Sequence, residues 1–243
     1  MFGLGTIINV IFVILGTTLG LLLKKGIPER LKETVIKAIG LSTCFIGISG
    51  VVSKMIYVND NSFETKNTML LVVSLVIGGL AGELINIEKH LESFGEFCKK
   101  KIKIKGNNDS FVEAFVTASL LFCVGAMAIV GSLEDGLTGD YSTLFAKSVM
   151  DGIMSVMFAA TMGVGVYLSA LPVLFYQGSI TLLAGVLKPY LSNVLIDQVS
   201  LVGSVLIFAI GINFLTNSKI RIGNLLPSVL VPIFYQIILN VLG

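Results

Sequence analysis

The chain has 243 residues, 54% of them hydrophobic and only 13% charged, with 26 glycines, no tryptophan and a formal net charge of +2. Its mean hydropathy is +0.92. Soluble domains carry about 25% charged residues, so the composition excludes an ordinary water-soluble fold, and a net charge this small points to no nucleic-acid partner.

Eight apolar runs follow one another: Gly3–Leu23, Val35–Ile56, Met69–Ile87, Phe111–Val130, Ser148–Leu168, Leu171–Leu187, Val199–Leu215 and Leu225–Leu242. A helix needs about 20 apolar residues to cross roughly 30 Å of hydrocarbon, and most of these runs meet that length. The first has neither a basic leader nor a small-residue cleavage pattern, so it is expected to remain as a span. The expected fold is an all-α polytopic transmembrane helical bundle of about eight spans. It forms one integral membrane domain over residues 1–243, with an N-terminal three-span part (1–105) and a C-terminal part (106–243) meeting at Gly106-Asn107-Asn108-Asp109.

Spans five and six are separated only by Ser169 and Ala170, followed by Pro172. Their combined run of about 40 residues is too long for one crossing, so the break is expected there. Val13–Gly20 resembles Leu75–Gly82, and Gly16-Thr17-Thr18 resembles Gly178-Ser179-Ile180, with Pro28 and Pro189 following at similar distances. Because spans one and six would run in opposite directions, these likenesses raise an internal inverted repeat as an expectation.

Positive charge sets the expected orientation. Lys24, Lys25, Arg30, Lys32 and Lys37 lie after span one, and Lys89, Lys99, Lys100, Lys101, Lys103 and Lys105 after span three. Both loops are therefore assigned to the cytoplasm, both termini to the opposite side, and Glu134, Asp135 and Asp140 to an outer loop. Glu88–Lys105 carries Leu91, Phe94 and Phe97 at helical spacing, which predicts an amphipathic helix on the membrane surface, with His90 solvated.

Cys44, Cys98 and Cys123 have no metal-ligand spacing and read as reduced structural thiols. No metal-hydrolase, nucleophile-elbow or phosphate-loop motif is present, so neither an enzyme nor a bound metal or cofactor is expected. The informative groups are the few polar ones inside the spans, since a central ionised side chain costs about 3 kcal/mol on insertion scales. Asp151 is read either as a cation or proton site facing a hydrated path, or as an interfacial carboxylate held by Lys147 one turn away. The candidate ion or substrate residues are Asp151, Lys147, Ser148, Gln177, Tyr176 and Asn213, with the backbone at Gly125 and Gly178. Gly16-x-x-x-Gly20 and Gly78-x-x-x-Gly82 read as close-packing stripes within the subunit, with a homo-oligomer as the less common use.

The run Phe115–Gly131, the stretch Glu134–Tyr141, Lys147-Ser148 and Asp151-Gly152, Leu171–Ser179 and Ile220–Pro227 together resemble an uncharacterised bacterial membrane-protein family, domain of unknown function 554 (YqgA-like). The resemblance covers essentially the whole chain, with the block from Thr117 to Asp140 the specific part. Ala126 departs from it, standing where the family's Gly-Pro-Met-Ala pattern has proline. What the resemblance implies is a multi-pass protein of the bacterial inner membrane and a loose association with sodium passage. It brings no site residues. The expected function is transport or channel activity for a small solute or cation. The alternative is a non-transporting scaffold or regulatory protein whose basic loop binds anionic lipid or a cytoplasmic partner.

Overall fold

The computed structural model describes residues 3–24, 28–59, 62–102, 108–123, 126–188, 191–216 and 220–242. The chain is built from helices α1 (Leu4–Lys24), α2 (Glu29–Met55), α3 (Thr68–Ile85), α4 (Ile87–Ile102), α5 (Asn108–Cys123), α6 (Ala126–Thr138), α7 (Ser142–Thr161), α8 (Ala170–Leu182), α9 (Ala184–Leu187), α10 (Asn193–Leu215), α11 (Ile222–Leu225) and α12 (Val231–Leu242). Two 3-10 segments, Val164–Ser169 and Leu226–Leu230, lead into α8 and α12. Among the described residues, the one sheet is an antiparallel hairpin between α2 and α3, formed by β1 (Ile56–Asn59) and β2 (Ser62–Thr65).

Among the described residues, six helical segments are long and apolar enough to cross a membrane: α1, most of α2, α3, α7, the stretch Val164–Leu182 and α10. Their outward faces are what lipid requires. On α1, Ile7, Ile11, Leu15, Leu19 and Leu22 are all exposed, while Asn9, Val13, Gly16, Thr17 and Gly20 are buried. Polar and small groups turn inward and large aliphatic ones outward, the reverse of a soluble helix.

Packing groups the helices into two units, each drawing on both sides of residue 105. The first comprises residues 1–38 and 91–190. Within it, Gly16 abuts the carbonyl of Gly152 and Gly20 that of Val156, so α1 and α7 run in the same direction. Asn9 meets Gln177 and Thr18 meets Tyr167, so the segment containing α8 runs the opposite way. Spans five and six are therefore separate crossings. The reversal falls at Met162-Gly163, earlier than the expected break at Ser169-Ala170, because Gly163 adopts φ 105°, a conformation glycine tolerates. Pro172 lies in the first turn of α8, where a missing N–H costs little.

The fourth expected span is broken. The axes of α5 and α6 differ in direction by 60°. Phe111, near the start of α5, packs on Gly165, and neighbouring Gly163 faces Lys24 at the C-terminal end of α1. At the other end of the pair, Asp135 of α6 accepts from the backbone N–H groups of Gly3 and Gly5, 3.2 and 3.1 Å away. The pair thus travels from one end of α1 to the other. Taken as one bent pair, α5 and α6 bring the segments of crossing length, among the described residues, to as many as seven.

Glu134 and Asp135 accordingly do not lie in a loop. α6 continues to Thr138, and Asp135 is fully buried against the positive end of the α1 dipole. The amphipathic segment forms as expected. α4 carries exposed Phe94 and Phe97, and its buried Gly95 rests on Val112 and Phe115 of α5.

The second unit comprises residues 39–90 and 191–243. α2 and α10 pack antiparallel, with Gly40, Gly47 and Gly50 meeting Phe214, Phe208 and Ser204. The second glycine stripe does the same work as the first, with Gly78 and Gly82 of α3 against the backbone of Ser228 and Asn224. Here the partner segment runs antiparallel. The last apolar stretch, Ile222–Ile238, is shorter than the other spans and interrupted by the 3-10 turn containing Pro227. Asn86, in the left-handed region at φ 56°, ends α3 and lets α4 begin at once.

Candidate intramembrane polar site

The polar groups of the first unit converge on α7. Lys147 and Asp151 are one helical turn apart on the same face, so their side chains meet, with Nζ 2.6 Å from Oδ2 and less than a tenth of either side chain exposed. Asp151 is the tenth of the twenty residues of α7. It sits midway along that helix. The sequence obscured this because the apolar run starts at Ser148, whereas the helix starts at Ser142.

Asn9 of α1 completes the arrangement. Its Nδ2 donates to Asp151 Oδ2 at 2.9 Å and to Gln177 Oε1 at 3.3 Å. One amide therefore joins three helices. The order of fixation runs outward from the charged pair. The carboxylate can only accept, so it sets which end of Asn9 faces it, and Asn9 in turn sets the orientation of Gln177. What remains is Asn9 Oδ1, an acceptor, and Gln177 Nε2, a donor, both fully buried and without a hydrogen-bond partner.

Further orphan hydroxyls lie close in register. Gly136 of α6 packs against the Thr181 carbonyl of α8. One turn earlier on these helices come Ser132 and Gln177. Thr6, Ser132 and Thr181 all bury a hydroxyl oxygen without a partner. Such atoms are ordinarily paired, because an unmade buried hydrogen bond costs about 1–3 kcal/mol.

The C-terminal end of α5 lies near the site. Cys123, the last residue of α5, is within electrostatic reach of Lys147 and Asp151, and Tyr176 of α8 is within reach of Cys123. Phe122 packs on Phe158 of α7 with ring centroids 6.3 Å apart.

Of the candidate residues, Lys147, Asp151 and Gln177 belong to one hydrogen-bonded cluster, and Tyr176 lies at its edge. Ser148 is buried, but its hydroxyl donates to the Leu144 carbonyl of its own helix at 2.6 Å. Gly178 is loosely surrounded, with only a Thr6 methyl near the position a Cβ would take. Gly125 lies outside the described residues. Asn213 belongs to the second unit, where its amide exchanges two hydrogen bonds with the backbone of Ile220, at 2.9 and 3.0 Å. It closes its own loop and is not part of the cluster. Asn9 joins the cluster from outside that candidate set, as one of the neutral polar residues within the spans. Asn9 had a legible signal, since positions 9, 13, 16 and 20 share one helix face with the glycine stripe.

The second unit holds a separate polar cluster where α3 meets α11. Asn224 donates to Glu83 at 2.6 Å and accepts from the backbone of Glu88 at 2.8 Å, while Arg221 pairs with Glu83 at 2.6 Å.

Compared with known proteins, residues 4–237 match the family described as Protein of unknown function (DUF554). The chain is similar to the uncharacterized membrane protein YdfK of Bacillus subtilis (strain 168), 34% identical over 98% of both chains. It is also similar to the uncharacterized protein YqgA of Escherichia coli (strain K12), 29% identical over 93% of each. No solved structure matches it.

Proposed function

We propose that this chain, a membrane protein belonging to the DUF554 family, is a transport protein or channel for a small solute or cation, with Lys147, Asp151, Asn9 and Gln177 as its intramembrane site. The observation that carries this reading is the Lys147–Asp151 pair, buried midway along a span beside a broken crossing. Ionised groups at that depth are costly and are characteristically found along substrate paths, as are discontinuous helices. A bundle needing only adhesion would be served as well by its glycine stripes.

The protein acts without chemistry on its substrate in this reading. It resides in the bacterial inner membrane, with the basic segments after α1 and α3 cytoplasmic and both termini on the far side, as the lysine and arginine distribution favours. A second reading, a scaffold binding anionic lipid or a cytoplasmic partner, has one observation in its favour. α4 is an amphipathic surface helix bearing exposed aromatic rings and Lys101, which lies 5.4 Å over the Phe97 ring.

The test is the melting temperature of detergent-purified protein against a panel of cations and small polar solutes at constant ionic strength. A ligand at about 100 times its dissociation constant stabilises the fold by roughly 2.7 kcal/mol. The proposal expects a selective shift that disappears in Asp151→Asn. An identical shift in that variant would remove Asp151 from the site.

A further inference from the structure

The charge of the site and its unmet hydrogen bonds together narrow what it can hold. Lys147 already neutralises Asp151, and Asp151 Oδ2 takes both the Lys147 ammonium and the Asn9 amide. Among the described residues, the other charge buried in this unit is Asp135, which is committed to the N-terminal backbone of α1. A bare cation entering beside Gln177 would meet the Lys147 ammonium with no free counter-charge. A bare anion would meet Asp151 in the same way. The vacant valences are of another kind, a carbonyl oxygen on Asn9 and an amide N–H2 on Gln177, each fully buried and each locked in orientation by the charged pair.

We infer that the site takes an uncharged, hydrogen-bonding solute of a few heavy atoms, one that offers a donor to Asn9 Oδ1 and an acceptor to Gln177 Nε2, as small carboxamides and alcohols do. The inference rests on the transport reading above and names its substrate class. The orphan hydroxyls of Thr6, Ser132 and Thr181 extend the same neutral lining along α1, α6 and α8. Lys147 and Asp151 then act as a fixed frame that orients the two amides, and neither ionises the substrate nor exchanges with it.

Flux into proteoliposomes tests this, with formamide and glycerol as uncharged probes and sodium, potassium and rubidium as charged ones. The wild-type protein is expected to raise formamide and glycerol entry at least several-fold over protein-free liposomes and to leave cation entry at background. Gln177→Glu removes the N–H donors and adds an uncompensated negative charge. It should lower formamide flux toward background and admit rubidium, an inversion of selectivity that a purely structural role for Gln177 would not produce. Gln177→Met, which keeps the size and loses the donors, serves if the Glu variant does not fold. It should lose formamide flux without gaining rubidium. Cation flux with neither uncharged probe moving would overturn the substrate class and leave transport standing. Movement of none of the five probes would overturn the transport reading itself, and formamide flux unchanged in folded Gln177 variants would overturn the assignment of Gln177.

Discussion

Lys147 and Asp151 meet at 2.6 Å halfway along a membrane-spanning helix, with less than a tenth of either side chain exposed. Removing one partner of such a pair strands a charge, whereas removing both does not. Asp151→Leu should therefore destabilise the protein by about 3–5 kcal/mol, and adding Lys147→Met should recover much of that loss. A double-mutant cycle by chemical denaturation checks it. Additive losses would mean that the two groups do not depend on each other.

The glycine stripes predict a sharp positional contrast. A Cβ at Gly82 would lie 1.9 Å from the Asn224 carbonyl oxygen, and one at Gly16 would lie 2.3 Å from that of Gly152. Backbone cannot give way as a side chain tip can, so Gly82→Ala and Gly16→Ala should each cost about 1–3 kcal/mol through overpacking. Gly185 has nothing within 4 Å of its Cβ position, so Gly185→Ala should be neutral or slightly stabilising. Melting temperatures of the three variants decide the matter.

In the second unit, burial separates two residues that share a partner. Asn224 is 2% exposed and joins Glu83 to the backbone of Glu88. The Arg221–Glu83 pair is open, with 60% and 56% of its side chains exposed. Asn224→Leu should cost about 1–3 kcal/mol. Arg221→Ala should cost less than about 1 kcal/mol and lose even that in high salt. Equal losses from the two variants would contradict this ranking.

One pH effect is open to direct measurement. The backbone N–H of Ser142 donates to Asp140 at 2.9 Å, at the start of α7, and holds that carboxyl below the usual carboxylate range. The folded state thus binds the proton less readily than the unfolded one. The stabilising contribution is complete above the ordinary carboxylate value and is lost as pH falls through the lowered one. Asp140→Ala should lower the melting temperature at pH 6 and make little difference at pH 2. A difference that grows on acidification would reverse the sign.

The sequence was informative wherever lipid alone dictates the pattern. Long apolar runs reported helices, the Leu91, Phe94 and Phe97 spacing reported α4, and the glycine pairs reported close approach. Interruptions were less legible. Phe111–Val130 reads as one apolar run because apolarity reports surroundings and not the straightness of an axis, so Gly125 alone hinted at the 60° change of direction between α5 and α6. Pro172 drew the expected break to Ser169-Ala170, while the chain turns at Gly163, the residue that accepts a positive φ. Glu134-Asp135-Gly136 looks like a loop, yet Asp135 is buried because the free N–H groups of α1 lie against it. Gln177 and Asp151 stood out by their chemistry. Asn213 stood out for the same reason, and its amide proved to be spent on its own loop.

The central claim is that the polar cluster around Asp151 is a path for a solute and not an adhesive between helices. Flux through proteoliposomes, comparing wild-type protein with Asp151→Asn at equal amounts of folded protein, tests it most directly. The account predicts solute entry above protein-free liposomes in the wild type and a loss of at least tenfold in the variant. Equal entry in both, or none above background in either, would contradict it.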